Sequence, residues 1–273
     1  MGLRRITVAV VFIPLFYFLV RYLHPAVFFA LVMAGILLAL YEFLSMNFGG
    51  GRGAQIPVGL AAGGLTAALI GWTGPDSRAA WITVIVIAVL LWELFFKTDL
   101  KRSLPDGAVL LLGVFYIGWL LGHLILLRKL PGGEWLVFFV FLVTWAGDTG
   151  AYYTGKAIGR IPLSPQVSPN KTVEGAVGGL ILSVAAAVLA KWWFLAILSL
   201  REVLFLGFFL GLVGQLGDLV ESMFKRSAGI KDSGGLIPAH GGVLDRVDSL
   251  IFTIPAFYYY LVWIKAFGGG IPI

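Results

Sequence analysis

Apolar stretches of roughly twenty residues recur along this chain, separated by short polar breaks. Nine of them are long and apolar enough to cross a bilayer as helices: residues 6–23, 25–46, 54–73, 79–96, 107–127, 133–154, 174–195, 202–224 and 246–265. A transmembrane barrel would instead show segments of about ten residues with alternating polarity. The pattern therefore predicts an all-α, polytopic helical integral membrane protein. The breaks carry turn residues: Gly49-Gly50-Gly51-Arg52-Gly53, Thr73-Gly74-Pro75-Asp76, the charged run from Lys97 to Arg102, and Pro131-Gly132-Gly133. The shortest break runs from Arg21 to Pro25. The first span is too long and apolar for a cleaved signal and is expected to be a retained helix. Two loops are longer and more polar than the rest, 155–172 and 225–245. Both lie in the second of two expected regions: a lipid-facing scaffold of five spans over residues 1–130, and four spans over 131–273 where the chemistry is expected.

Composition sharpens this reading. The chain has 273 residues, 59% hydrophobic and 12% charged, against about 25% charged in soluble domains. It contains no cysteine, so disulfides, thiolate catalysis and cysteine metal sites are excluded. The three histidines, His24, His123 and His240, are far apart in sequence, which disfavours a zinc site. A metal here would be bound by oxygen, as Mg²⁺, Mn²⁺ or Ca²⁺. The net charge of +6 is no nucleic-acid signal in such a chain; loop cations facing anionic membrane lipid account for it. Thirteen Lys and Arg fall on the N-terminal side of the nine-span arrangement and seven on the other. The positive-inside rule then places the N-terminus and both polar loops in the cytoplasm, and the protein as a multi-pass component of the inner (cytoplasmic) membrane.

The candidate chemistry concentrates between Gly217 and Asp248. Asp218, Glu221 and Ser222 share one helix face, on a stripe with Gly207, Gly211 and Gly214. The glycines alone suit a helix-packing seam; acids on the same stripe point to function, because charge at membrane depth is costly. Asp245, Arg246 and Asp248 open the ninth span, where acids also complement a helix dipole. Between the two groups lie Lys225, Arg226, Lys231, Asp232 and His240 with Gly241 and Gly242, a mixture suited to holding phosphate. The first polar loop holds Ser168, Asn170, Lys171 and Thr172 and leads into Glu174; Asn170, Lys171 and Thr172 precede an apolar helix and also suit capping. Asp148 is an acid inside the sixth span. Gly150-x4-Gly155-Lys156 imitates a P-loop, but Ala157 replaces the required hydroxyl residue and the flanks are membrane helix. Together these parts suggest metal-assisted phosphoryl or nucleotidyl transfer to a lipid that cannot leave the bilayer.

The run Ser222-x-x-Lys225-Arg226-x4-Lys231-Asp232-x-Gly234-x2-Ile237-Pro238-x-His240-Gly241-Gly242-x-x-Asp245-Arg246-x-Asp248 closely resembles the signature of phosphatidate cytidylyltransferases, or CDP-diacylglycerol synthases, of the bacterial type. Residues 168–175 and the Asp148-Thr149-Gly150-Ala151-Tyr152 run are similar to further motifs of that family. The resemblance implies a Mg²⁺-dependent transfer of CMP from CTP to phosphatidate, giving CDP-diacylglycerol and pyrophosphate, with a second cation left open. It implies Asp218 and Asp245 at the metal, with Asp248 nearby, and Lys225 and Arg226 among the catalytic groups; Glu221, on the face of Asp218, is expected as a third metal ligand. Ser168, Asn170, Lys171, Glu174, Ser222, Lys231, Asp232, His240, Gly241, Gly242, Arg246 and Asp148 would contact substrate. A CTP-dependent kinase of polyprenol or phytol type is the nearest alternative. A cation transporter using Asp148, Asp218 and Glu221 is a more distant one. The small-residue faces are also compatible with a homodimer.

Overall fold

The computed structural model describes residues 18–22, 24–49, 54–96, 99–234 and 242–265. The chain is an all-α polytopic membrane protein, and seven of its described helices are long and apolar enough to cross a bilayer. They are α1 (Pro25–Phe48), α2 (Gln55–Trp72), α3 (Pro75–Phe96), α4 (Leu100–Lys129), α5 (Gly133–Ile158), α6 (Val173–Trp193) and α7 (Leu200–Ser227). An eighth, α8 (Leu244–Tyr259), continues through a π-helical segment, Tyr260–Lys265, and covers the expected ninth span. The expected first span lies outside the described residues except for helical residues 18–22.

Local chemistry sets the helix ends. At the short first break, His24 Nδ1 accepts from the Ala26 amide at 3.3 Å, and Pro25 takes the first helical position, where its missing N–H is harmless. The charged run before the fifth span is shorter as a loop than expected. Asp99 caps Lys101 N at 3.1 Å, so α4 already begins at Leu100. Ser199 and Glu202 form a reciprocal capping box at the start of α7. The polar loop 155–172 contains a small antiparallel hairpin, β1 (Pro162–Ser164) and β2 (Ser168–Thr172), which the hydropathy pattern did not anticipate.

Burial separates jacket from core. Only 17% of the most apolar window of α3 is buried within the protein, and Phe95 and Phe96 are more than 70% exposed, as befits a lipid-facing helix. By contrast α4 carries a π-helical segment, Val114–Trp119, in the centre of the fold. There Tyr116 sets its ring edge-on to Phe224 of α7 and Phe252 of α8, at 5.2 and 6.3 Å. Helices α5 to α8 meet along small residues. A Cβ at Gly150 would lie 2.7 Å from the Gly178 carbonyl of α6, and one at Gly207 would lie 2.6 Å from Val184 Cα. The glycine stripe expected on α7 therefore serves packing within the chain, against α6 at Gly207 and Gly211 and against α8 at Gly214.

Candidate active site

The site forms where one end of α5, α7 and α8 meets the hairpin. The i, i+3, i+4 spacing on α7 places Asp218, Glu221 and Ser222 on one face, and Lys225 follows one turn later. That face meets the first turns of α8, which carry Asp245, Asp248 and Ser249. The approach is close because residue 217 is glycine: a Cβ there would lie 2.9 Å from the Asp248 carbonyl oxygen and 3.3 Å from Phe252. Gly217→Ala should therefore overpack the seam at a cost of about 1–3 kcal/mol and push Asp218 away from Asp248. A thermal unfolding scan with a parallel turnover assay checks this, and unchanged values in both would contradict it.

One carboxylate oxygen from each of Asp218, Glu221 and Asp248 lies within 4.8 Å of the others. Two lysines stand against the acids. Lys171 Nζ sits 2.6 Å from Asp218 Oδ2. Lys225 Nζ bridges Glu221 Oε2 at 2.6 Å and Asp245 Oδ1 at 2.7 Å. Asp148 reaches the group from α5 and accepts from Ser249 Oγ at 3.2 Å, and Ser222 Oγ approaches Asp218 at 3.5 Å. Five carboxyl groups thus share two ammonium groups, while Glu221 Oε1 is buried with no donor among the described residues. A buried carboxylate oxygen without a donor is costly, and an all-oxygen donor set suits a hard divalent cation. The residues present therefore fit a Mg²⁺-like ion, with Asp218, Glu221 and Asp248 as the acids that would hold it.

Asp245 is placed differently from its neighbours. Its carboxylate faces Lys225 and accepts from the amides of Gly242 at 2.8 Å and Ser233 at 3.3 Å. It ties together Ser233 and Gly242 of the loop between α7 and α8. Arg226 also makes a tie: its guanidinium donates to the carbonyls of Val167, in the hairpin turn, and Ile230, both at 3.2 Å. Glu174 accepts from the amides of Arg160 and Ile161 at 3.0 and 3.2 Å and so brackets the approach to β1. Thr172 caps α6 through the Gly175 amide at 3.1 Å. Ser168 pairs with Ser164 across the hairpin. Lys231, Asp232 and Arg246 are exposed. His240 and Gly241 lie outside the described residues.

Beside the acids opens a cavity of about 490 Å³, lined by Asp148, Tyr152, Lys156, Asn170, Lys171, Gln215 and Asp218 among others. Lys156 and Lys171 line it together with Asp148 and Asp218, a set of charges suited to a metal-bound polyphosphate.

Glu42, Lys156, Gln215 and Ser249 lie at the site although the sequence reading did not place them there. Glu42 of α1 is 2% exposed, yet its carboxylate reaches the start of α8 and accepts from the amides of Val243 at 2.9 Å and Leu244 at 2.8 Å. Its only signal in the sequence is an acid within an otherwise apolar span.

A model of the cytidylyltransferase family matches residues 3–264. The chain belongs to that family. Among similar curated proteins is the phosphatidate cytidylyltransferase of Staphylococcus saprophyticus, 36% identical over 233 residues, covering 83% of this chain and 86% of the relative. The protein of that name from Staphylococcus aureus is 36% identical over 240 residues, covering 86% and 88%. That from Staphylococcus haemolyticus is 35% identical over the same length and shares. The match to the cytidylyltransferase family takes in the N-terminal helices as well as the acid cluster, so α1 and its Glu42 belong to the family region.

Proposed function

We propose that the chain transfers the CMP moiety of CTP to phosphatidate, giving CDP-diacylglycerol for phospholipid synthesis and releasing pyrophosphate. Membership of the cytidylyltransferase family and relatives named phosphatidate cytidylyltransferase support the reaction. The observation that carries the site assignment is the meeting of Asp218, Glu221 and Asp248 from two helices beside a cavity lined by Lys156 and Lys171.

A phosphate oxygen of phosphatidate attacks the α-phosphorus of CTP, the bond from that phosphorus to the β-phosphate bridging oxygen breaks, and pyrophosphate leaves with the electron pair. The nucleophile is already anionic, so no strong general base is required. The protein's task is to bring two polyanions together and neutralise them. A bound Mg²⁺ supplies Lewis-acid neutralisation of phosphate charge. Lys171 and Lys156 on the cavity wall offer cations to the triphosphate, with Asn170 as a neutral donor. Lys225 holds Glu221 and Asp245 in place while Asp148 orients Ser249. Lys231, His240, Gly241 and Gly242 belong to the loop that would complete the nucleotide side. The excess of Lys and Arg on one side supports a cytoplasmic opening for this site, where CTP is available.

Pyrophosphate release measured with each of the four ribonucleoside triphosphates, with and without phosphatidate and Mg²⁺, tests this. Pyrophosphate and a CDP-lipid are expected only with CTP, phosphatidate and the ion together. Formation of CDP and a phosphorylated lipid alcohol would show a kinase instead, and full turnover in excess chelator would remove the metal.

A further inference from the structure

We propose that Glu42 is a positioning residue of the transferase site, holding in register the helix start that carries Asp245 and Asp248. The cap of α8 has no side-chain acceptor of its own. Glu42 supplies it from another helix: Oε1 accepts from Val243 N at 2.9 Å, and Oε2 accepts from Leu244 N at 2.8 Å and from Ser233 Oγ at 3.2 Å. One buried carboxylate thus ties Ser233 of the loop that joins α7 to α8 to the start of α8. Asp245 repeats the arrangement from the other side with Ser233 N and Gly242 N. The fit is tight, because a Cβ at Gly234 would lie 2.9 Å from Glu42 Oε1 and one at Gly242 would run into Oε2. A negative group at a helix N-terminus is also favoured by the dipole. Leu244 is followed directly by Asp245 and four positions later by Asp248, so any movement at its amide is passed to both acids. Misplacement of reacting groups by about 1 Å can cost on the order of 10²-fold in rate.

This inference rests on the transferase reading of the acid cluster. The test uses the purified full chain in detergent micelles and compares wild type with Glu42→Gln, which keeps the shape but turns one acceptor into a donor. Three quantities are read: kcat and KM for CTP, the affinity for Mn²⁺ alone by electron paramagnetic resonance, and the unfolding temperature. Glu42→Gln is expected to lower kcat by about 10–100-fold and weaken Mn²⁺ binding by about tenfold, with KM for CTP within about twofold. Glu202→Gln, which weakens the cap at the opposite end of α7, serves as the control and should lower only the unfolding temperature. Should Glu42→Gln not be recovered folded, Gly234→Ala applies the same test by displacing the carboxylate without removing it. A variant with reduced unfolding temperature but wild-type kcat and Mn²⁺ affinity would reduce Glu42 to a plain helix cap. A wild-type protein that binds no Mn²⁺ would count against the metal reading, and the kcat comparison would still judge Glu42.

Discussion

Asp218→Asn is expected to lower CDP-diacylglycerol formation by about 10³-fold or more, since a metal site supplies several kcal/mol of charge stabilisation. The residue joins three parts of the site. It shares the acid cluster with Glu221 and Asp248, faces Lys171 at 2.6 Å and lines the cavity. The amide keeps the shape of the side chain and removes its charge, so the lysine loses its counter-ion and the cluster loses an anionic oxygen. Because the side chain is partly open to the cavity rather than packed in the core, the variant should insert and unfold much as wild type does. Turnover assayed beside membrane yield and thermal unfolding separates the two effects. An Asp218→Asn enzyme with more than a tenth of wild-type kcat would exclude this carboxylate from the reaction centre.

Lys225→Met should be the most damaging change to the acid cluster's own stability. The ammonium lies between Glu221, whose side chain is fully buried, and Asp245, which is 15% exposed. Removing one partner from a buried ion pair costs about 3–5 kcal/mol, because the remaining charge stays uncompensated. Here two acids lose the same partner. Both unfolding temperature and kcat should fall, and Lys225→Arg should restore little. A planar guanidinium does not replace a point charge held at 2.6 and 2.7 Å from two separate carboxylates. Wild-type stability in Lys225→Met would show that the acids are held by other means.

The hydropathy pattern was enough to place the described helices, because bilayer thickness fixes their length and Gly or Pro marks their ends. The face shared by Asp218, Glu221 and Ser222 was equally legible from helical spacing. Which residues of α8 would join that face was harder to read. Asp245 and Asp248 stand three apart near the same helix start, yet the structure gives Asp248 to the cluster and Asp245 to Lys225 and the loop amides. That choice depends on the rotation of α8 against α7, set by contacts such as Gly217 against the Asp248 carbonyl. The hairpin at 162–172 has neither alternation nor length enough to announce itself. The π-helical segment Val114–Trp119 lies within a continuous apolar run and has no sequence mark. Glu42 could not be paired with its partners by any local spacing, since 201 positions separate it from Val243.

That separation has a consequence for biosynthesis. Ribosomes deliver α1 early and the start of α8 some 200 residues later, an interval of about 10–40 s at ordinary elongation rates. During that interval the nascent chain holds an acid in its second apolar segment whose three donors have not yet been made. This stitch closes across 201 positions of chain, so quality control acting on unfinished chains meets the Glu42 carboxylate before its partners exist.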